Sequence, residues 1–257
     1  MTDLDWRAAL DFAQTLADAA RPIALEHFRK PLAIDIKSDA SPVTVADRAI
    51  EARLRQLIGE RFADHAVYGE EMGQAIGETH TWVIDPIDGT KSFISGMPLF
   101  GTLIALAERG TPVIGVIDIP GTGERWVGGP EGATLDGSAA RVSGCTRLED
   151  ARLYATSPDM FAGSEAQAFE RVSRRAAFRR FGGDCYVYGL LASGHCDLVV
   201  ERDLKPFDYM ALIPVIEAAG GRITDWRGDA LGFASDGRVV AAATPDLHAR
   251  CLDELGV

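Results

Sequence analysis

The sequence predicts an α/β protein, a single layered unit whose two halves meet near residue 145. Three observations predict it. The first sixty residues carry two stretches of helical apolar spacing. From Ala66 to Ile119 the chain breaks into short β-branched runs punctuated by Gly, Pro and Asp. The last hundred residues alternate strand and helix patterns, as a sheet covered by helices requires.

Trp6, Leu10, Ala13, Leu16, Ala20, Ile23 and Phe28 recur near every 3.6 residues, predicting a long helix over 5–28 that Pro22 disturbs. Residues 32–37 alternate like a short strand. Ala49, Leu54, Leu57 and Ile58 share a face of a second helix over 45–62. Strands are predicted at 65–68, 81–84, 101–108 and 111–119, with Glu108-Arg109-Gly110 and Asp136-Gly137 as turns. Beyond residue 145, strands fall at 152–155, 197–200, 222–224 and 239–243, and helices at 164–177, 186–192, 208–219 and 245–255. No repeat, linker or low-complexity segment interrupts them.

A chain of 257 residues buries enough surface to need neither disulfides nor a structural metal. Its charge, 26 basic against 38 acidic residues, is −12, which argues against nucleic acid, a partner that calls for a basic face. An acidic protein can still take an anionic substrate where bound cations invert the local field. Cys145, Cys185, Cys196 and Cys251 lie far apart with no CxxC spacing and read as reduced thiols. The opening MTDLDWRAAL lacks the layout of a signal peptide, and no apolar run reaches membrane-spanning length. The expectation is a cytoplasmic protein with no membrane partner.

The densest chemistry lies in Trp82-Val83-Ile84-Asp85-Pro86-Ile87-Asp88-Gly89-Thr90. An apolar strand ends, two carboxylates follow three apart, and Gly-Thr opens a helix. Strand ends of α/β sheets collect ligands. The carboxylates and the Ile87 carbonyl offer hard oxygens that suit Mg²⁺, and the Gly89 and Thr90 amides suit a phosphate. Asp-Pro and Asp-Gly are also ordinary turn sequences, but a turn does not need the whole string. The spacing excludes the Asp-x-Asp-Gly-Thr of aspartyl-phosphate phosphatases, so an activated water is the expected nucleophile. Glu70 follows another strand, Asp47 sits just inside a helix start, and Asp208 opens the helix over 208–219. Taken singly each reads as a cap or a solvated charge.

Together, Lys37-Ser38-Asp39, Pro42-Val43-Thr44, Asp47, Gly69-Glu70-Glu71, Asp85 to Thr90 and Lys205-Pro206-Phe207-Asp208, with a later Gly220-Gly221, resemble the inositol monophosphatase family of Mg²⁺-dependent phosphatases over nearly the full length. The resemblance implies a layered α/β/α/β/α sandwich of the inositol monophosphatase and fructose bisphosphatase type, and a homodimer. It implies one catalytic unit over 1–257, with a metal-binding half to about 145 and an α/β half from 146. It also implies two or three Mg²⁺ held by Glu70, Asp85, the Ile87 carbonyl, Asp88 and Asp208. Asp47 and Thr90, with Glu70, would activate the attacking water, and the substrate would be a small phosphorylated metabolite.

Within the family, Lys91-Ser92-Phe93 departs from the Asn-Phe usual in inositol phosphatases. Residues 98–106 and Gly182-Gly183-Asp184-Cys185-Tyr186 resemble the histidinol-phosphatase branch. Asp88, Gly89, Thr90, Asp184, Glu201 and Asp208 are the implied substrate contacts. Asp184 and Glu201 suit an ester carrying an ammonium group, such as histidinol phosphate. Asp184 could otherwise cap the helix starting near Cys185. Inositol-1-monophosphatase, 3′-phosphonucleotide phosphatase and fructose bisphosphatase activities are the neighbouring alternatives. The five histidines share no motif and receive no catalytic role.

Overall fold

A computed structural model describes residues 5–31, 34–36 and 42–256. The expected contributions of Leu32, Ala33, Lys37, Ser38 and Asp39 lie outside the described residues. Helix α1 (Trp6–His27) begins at Asp5, whose carboxylate accepts the amides of Arg7 and Ala8, and it runs on past Pro22. Strands β1 (Ile34–Ile36) and β2 (Pro42–Thr44) pair antiparallel before α2 (Val45–Arg61).

A seven-stranded sheet follows in sequence order: β3 (Ala66–Gly69), β4 (His80–Asp88), β5 (Gly101–Glu108), β6 (Thr111–Ile119), β7 (Glu124–Gly129), β8 (Gly132–Leu135) and β9 (Ser138–Ala139). β3 is parallel to β4, and the remaining neighbours are antiparallel. Between β4 and β5 lies the short α3 (Thr90–Ser95). Strands β7 to β9 were not expected from sequence beyond their Asp136-Gly137 turn.

The second sheet, of order β11-β10-β12-β14-β13, holds β10 (Arg152–Ala155), β11 (Phe178–Phe181), β12 (Leu198–Glu201), β13 (Arg222–Thr224) and β14 (Val239–Ala242). Helices α4 (Gly163–Arg175), α5 (Tyr186–Ala192), α6 (Pro206–Tyr209), α7 (Leu212–Ala218) and α8 (Pro245–Leu255) intervene. The single helix expected over 208–219 is two. Pro214 has no amide to give the Met210 carbonyl, so the ladder cannot run through that turn.

Three apolar cores fix the layers. Ala13, Leu16, Ile50 and Leu54 of α1 and α2 pack on Trp82, Ile84 and Ile104, one face of the larger sheet. Its other face, with Val83, Leu103 and Ile117, meets Leu191, Leu212 and Val215 of α5 and α7. Those helices also cover Val199, Val239 and Ala241 of the smaller sheet, whose far face packs on Phe169, Val172 and Leu247 of α4 and α8. The order is α/β/α/β/α, as the resemblance implies. No helix among the described residues is long and apolar enough to cross a membrane.

Candidate active site

The site begins at the C-terminal end of β4. Alternation would send residues three apart to opposite faces of a strand. Here Asp85 pairs with Leu103 and Asp88 with Gly101, so β4 spends three residues against two of β5. That is a bulge, and Pro86, which cannot donate to the ladder, sits in it. Thr102 Oγ1 donates to the Pro86 carbonyl across it at 2.8 Å. The extra residue brings both carboxylates to one face. A helix start from the other half supplies the third acid. Asp208 Oδ2 accepts the Lys205 amide at 2.6 Å, and carboxylate oxygens of Asp85, Asp88 and Asp208 lie within 4.8 Å of one another.

Glu70 follows β3, and its loop is pinned from behind. Glu51 of α2, fully buried, accepts the amides of Glu71 at 2.7 Å and Met72 at 3.0 Å and pairs with Arg55 at 2.8 Å. A Cβ at Gly69 would meet Glu51 Oε1 at 2.1 Å, so glycine lets the loop approach this anchor. One turn earlier on α2, Asp47 Oδ2 accepts both the amide and the hydroxyl of Thr44, a capping box, while buried Oδ1 has no partner. Burial pushes the Asp47 carboxyl up, Thr44 opposes that, and the charge of Glu70 adds to it.

The acids strain one another. Burial, then the charges of Glu70, Asp88 and Asp208, push Asp85 well above the usual carboxylate range. Burial, Asp184 and Asp208 do the same to Asp88, against its bond from Cys185. Burial pushes Asp208 up to about 7 despite the Lys205 amide. Asp85 Oδ1 is buried without a hydrogen-bond partner. An all-oxygen set holding a buried, orphaned carboxylate oxygen and mutually repelling charges fits a hard divalent cation.

The Thr90 hydroxyl donates to the Ile87 carbonyl at 3.1 Å, beside Gly89 in the left-handed region (φ 78°), and no side chain caps the start of α3. A Cβ at Gly89 would lie 2.7 Å from the Asp184 carboxyl, so only glycine fits both the dihedral and the contact. A cleft of about 140 Å³ opens from the acid cluster, lined by Asp88, Asp184, Cys185, Tyr188, Glu201 and Asp208 among others. Asp184 does not cap α5. Its Oδ2 accepts the Ser92 hydroxyl, and Cys185 occupies the cap position without a side-chain bond. The Cys185 amide donates to Asp88 Oδ2 at 2.6 Å. Glu201 accepts the Thr156 amide at 2.6 Å and the Tyr188 hydroxyl at 2.7 Å, and burial pushes its carboxyl up.

Asp85, Asp88, Asp184, Glu201 and Asp208 thus border one cleft or its acid cluster. Glu70 acts on Asp85 and Asp208 by charge, and Asp47 on the Glu70 side. No bond joins Thr90 to Asp47. Sequence reasoning missed Thr44, Glu51, Ser92, Thr156 and Tyr188. Glu51 carried a signal, a carboxylate one turn after Asp47 on the apolar side of α2. Ser92 carried another as the departure after Gly-Thr. Thr156 and Tyr188 act on a residue 45 and 13 positions away and carried none.

An acid cluster of this kind, between two sheets and beside an uncapped helix start, fits an enzyme that handles anionic esters with cations. The chain matches the signature of the Inositol monophosphatase family over residues 5–256 and belongs to that family of metal-dependent phosphatases, which act on small phosphorylated substrates. It is a phosphoric monoester hydrolase. It is 45% identical to the chloroplastic bifunctional phosphatase IMPL2 of Arabidopsis thaliana, over 99% of this chain and 76% of that one. It is 37% identical to a histidinol-phosphatase of Chlorobaculum parvum, over 85% and 86%. The inositol monophosphatase of Zymomonas mobilis superposes with a TM-score of 0.90 at 40% identity, over 99% and 100% of the two chains.

Proposed function

We propose that the chain hydrolyses L-histidinol phosphate to L-histidinol and phosphate, in histidine biosynthesis, with Mg²⁺ as its cofactor. The observation that carries this reading is the pair of carboxylates, Asp184 and Glu201, on the cleft beside the acid cluster. A polyol needs no charge there, whereas an ammonium group needs at least one. The resemblance to histidinol-phosphatases supports it.

In this reading the unit has two halves, about 1–145 and 146–257. Glu70, Asp85, the Ile87 carbonyl, Asp88 and Asp208 would hold two or three Mg²⁺, which when bound would neutralise phosphate charge and make water more acidic. Asp88, Asp208 and the Gly89 and Thr90 amides orient the phosphate. Asp47 Oδ1, buried and without a partner, takes the proton of the attacking water, with Thr90 and Glu70 orienting it. Water oxygen bonds to phosphorus as the ester P–O bond breaks; the departing alkoxide takes a proton from solvent water, and Asp47 returns the proton it accepted to solvent, so the sum is alcohol plus phosphate. Asp184 and Glu201 hold the cationic end of that alcohol. A homodimer in the cytoplasm is part of the proposal, checked by sedimentation and fractionation.

The test is Asp184→Asn, assayed with Mg²⁺ on histidinol phosphate and glycerol phosphate. Asn tolerates the left-handed backbone that Asp184 adopts (φ 46°), so the variant removes charge without adding strain. A hydrogen bond to a charged group contributes about 1.5–3 kcal/mol, so kcat/KM on the cationic ester should fall about 10- to 150-fold. The neutral ester should lose far less. Equal losses would overturn the assignment. A second reading, inositol 1-phosphate as substrate, is favoured by the 32% identity to an inositol-1-monophosphatase of Caulobacter vibrioides, and inositol 1-phosphate belongs in the same panel.

A further inference from the structure

We infer that Ser92 is a specificity residue: from the other half of the molecule, its hydroxyl holds Asp184 in the orientation that accepts a cationic leaving group. The inference rests on the reading of Asp184 above.

Gly182, Gly183 and Asp184 take three successive positive φ angles, 84°, 123° and 46°. Glycine accepts such angles freely, but an aspartate in the left-handed region persists only where its surroundings hold it. Three contacts do so. Ser92 Oγ, on α3, donates to Asp184 Oδ2 across 92 positions of sequence. The next amide, Cys185 N–H, is tied to Asp88 Oδ2 at 2.6 Å. The missing side chain of Gly89 makes room for the Asp184 carboxyl.

Of these, only the Ser92 bond fixes the rotation of the carboxylate itself. The other two set the backbone and the space. Without the hydroxyl, Asp184 keeps its charge and place but not its direction, and a charged hydrogen bond to an ammonium depends on direction. Ser92 also stands two residues after Thr90, on the same short helix that meets the phosphate in the proposed mode of binding. One element therefore orients the phosphate directly and the alcohol through Asp184. Ser92 touches neither the substrate nor the reacting atoms. It is a positioning residue.

The experiment compares the parent, Ser92→Ala, Ser92→Thr, Asp184→Asn and the Ser92→Ala/Asp184→Asn pair on histidinol phosphate and glycerol phosphate with Mg²⁺. Ser92→Ala should lower kcat/KM on the cationic ester about three- to tenfold, the scale of one hydrogen bond, mostly through KM. The loss on glycerol phosphate should be several times smaller. Ser92→Thr, which keeps the hydroxyl, should restore most of the cationic activity. In the Asp184→Asn background Ser92→Ala should add little, because residues that act through one another are not additive. If Asp184→Asn is selective and Ser92→Ala costs both esters equally, or keeps its full effect beside Asp184→Asn, the role of Ser92 is overturned alone. If Asp184→Asn is itself unselective, the reading of Asp184 falls and this inference with it.

Discussion

The strained acids make a measurable demand on stability, and Asp208→Asn exposes it. Asp208 titrates at about 7 in the fold against an ordinary 3.8. The folded chain therefore holds this proton more tightly than the unfolded chain. The stability that it confers is present below pH 4 and is lost as pH rises to about 7. The rise corresponds to about 4 kcal/mol, and because the side chain is only half-buried, roughly half of that is a fair expectation. Asn keeps an oxygen for the Lys205 amide but cannot ionise. His248, pushed down to about 4 by burial, gives the opposite slope below pH 6.5, but parent and variant share it and their difference cancels it. The assay is thermal melting in chelator from pH 4.5 to 8. The melting temperature of the variant should gain on the parent by about 3–7 °C across that range, at about 2–4 °C per kcal/mol. Mg²⁺ at a hundredfold its Kd should add about 2.7 kcal/mol to the parent at pH 8 and far less to the variant. A parent–variant difference that stays flat with pH, or equal rescue of both by Mg²⁺, would refute the reasoning.

Three other outcomes follow from the site. Asp85→Asn should cut turnover by about 10²–10³-fold or more with the fold intact, as loss of a buried electrostatic partner does, and no phosphoaspartate should be trapped there; near-parent kcat would break the ligand assignment. Asp47→Asn and Thr90→Ala should each lower kcat, by about 10²–10⁴-fold where general-base catalysis is lost, with KM changing less. Intact kcat with raised KM in both would make them binding residues. Gly89→Ala sets a Cβ 2.7 Å from the Asp184 carboxyl and adds left-handed strain of about 1–2 kcal/mol. It should melt several degrees lower and lose cationic-ester activity more than neutral-ester activity, and a variant that matches the parent in both would contradict the packing described.

Legibility in the sequence tracked the range of the interaction that decides each feature. Strands β5, β6 and β10 and helices α5 and α8 have the boundaries expected, because apolar patterning and turn chemistry are local. Strand β11, Phe178-Arg179-Arg180-Phe181, is a largely exposed edge whose arginines conceal any alternation. Strand β7 has Trp126 and Val127 between charges and glycines, too short a run to register. The acids of the site were legible because each ends a strand or begins a helix. What holds Glu201 was not: the Thr156 amide and the Tyr188 hydroxyl reach it only after the smaller sheet has formed. The bulge at Pro86 lay between. By apolar patterning the strand ends at Ile84, before Asp85-Pro86, whereas β4 runs on to Asp88, and only pairing with β5 shows that the bulge turns Asp85 and Asp88 to one face.

That bulge ties the architecture to the chemistry. A regular β4 would bury one of its two acids against α1 and α2, or leave it on the far side of the sheet from Asp208. With the extra residue, acids from the ends of two strands and one helix converge where the two halves of the chain face each other. Convergence has an electrostatic cost, visible in the upward shifts of Asp85, Asp88 and Asp208 together. Lys205 is nearby, yet it contributes an amide to Asp208 while its ammonium pairs with Asp203 at 3.2 Å. Arg55 is spent on Glu51, behind the Glu70 loop. Both cations thus pair with acids other than Asp85, Asp88 and Asp208. Among the described residues, Asp85, Asp88 and Asp208 lie close together and their proton affinities are raised, so the force that strains the metal-free fold is the force available to bind cations. In the proposed reading stability and catalysis draw on the same three carboxylates, which is why a pH-dependent melt would report on that site.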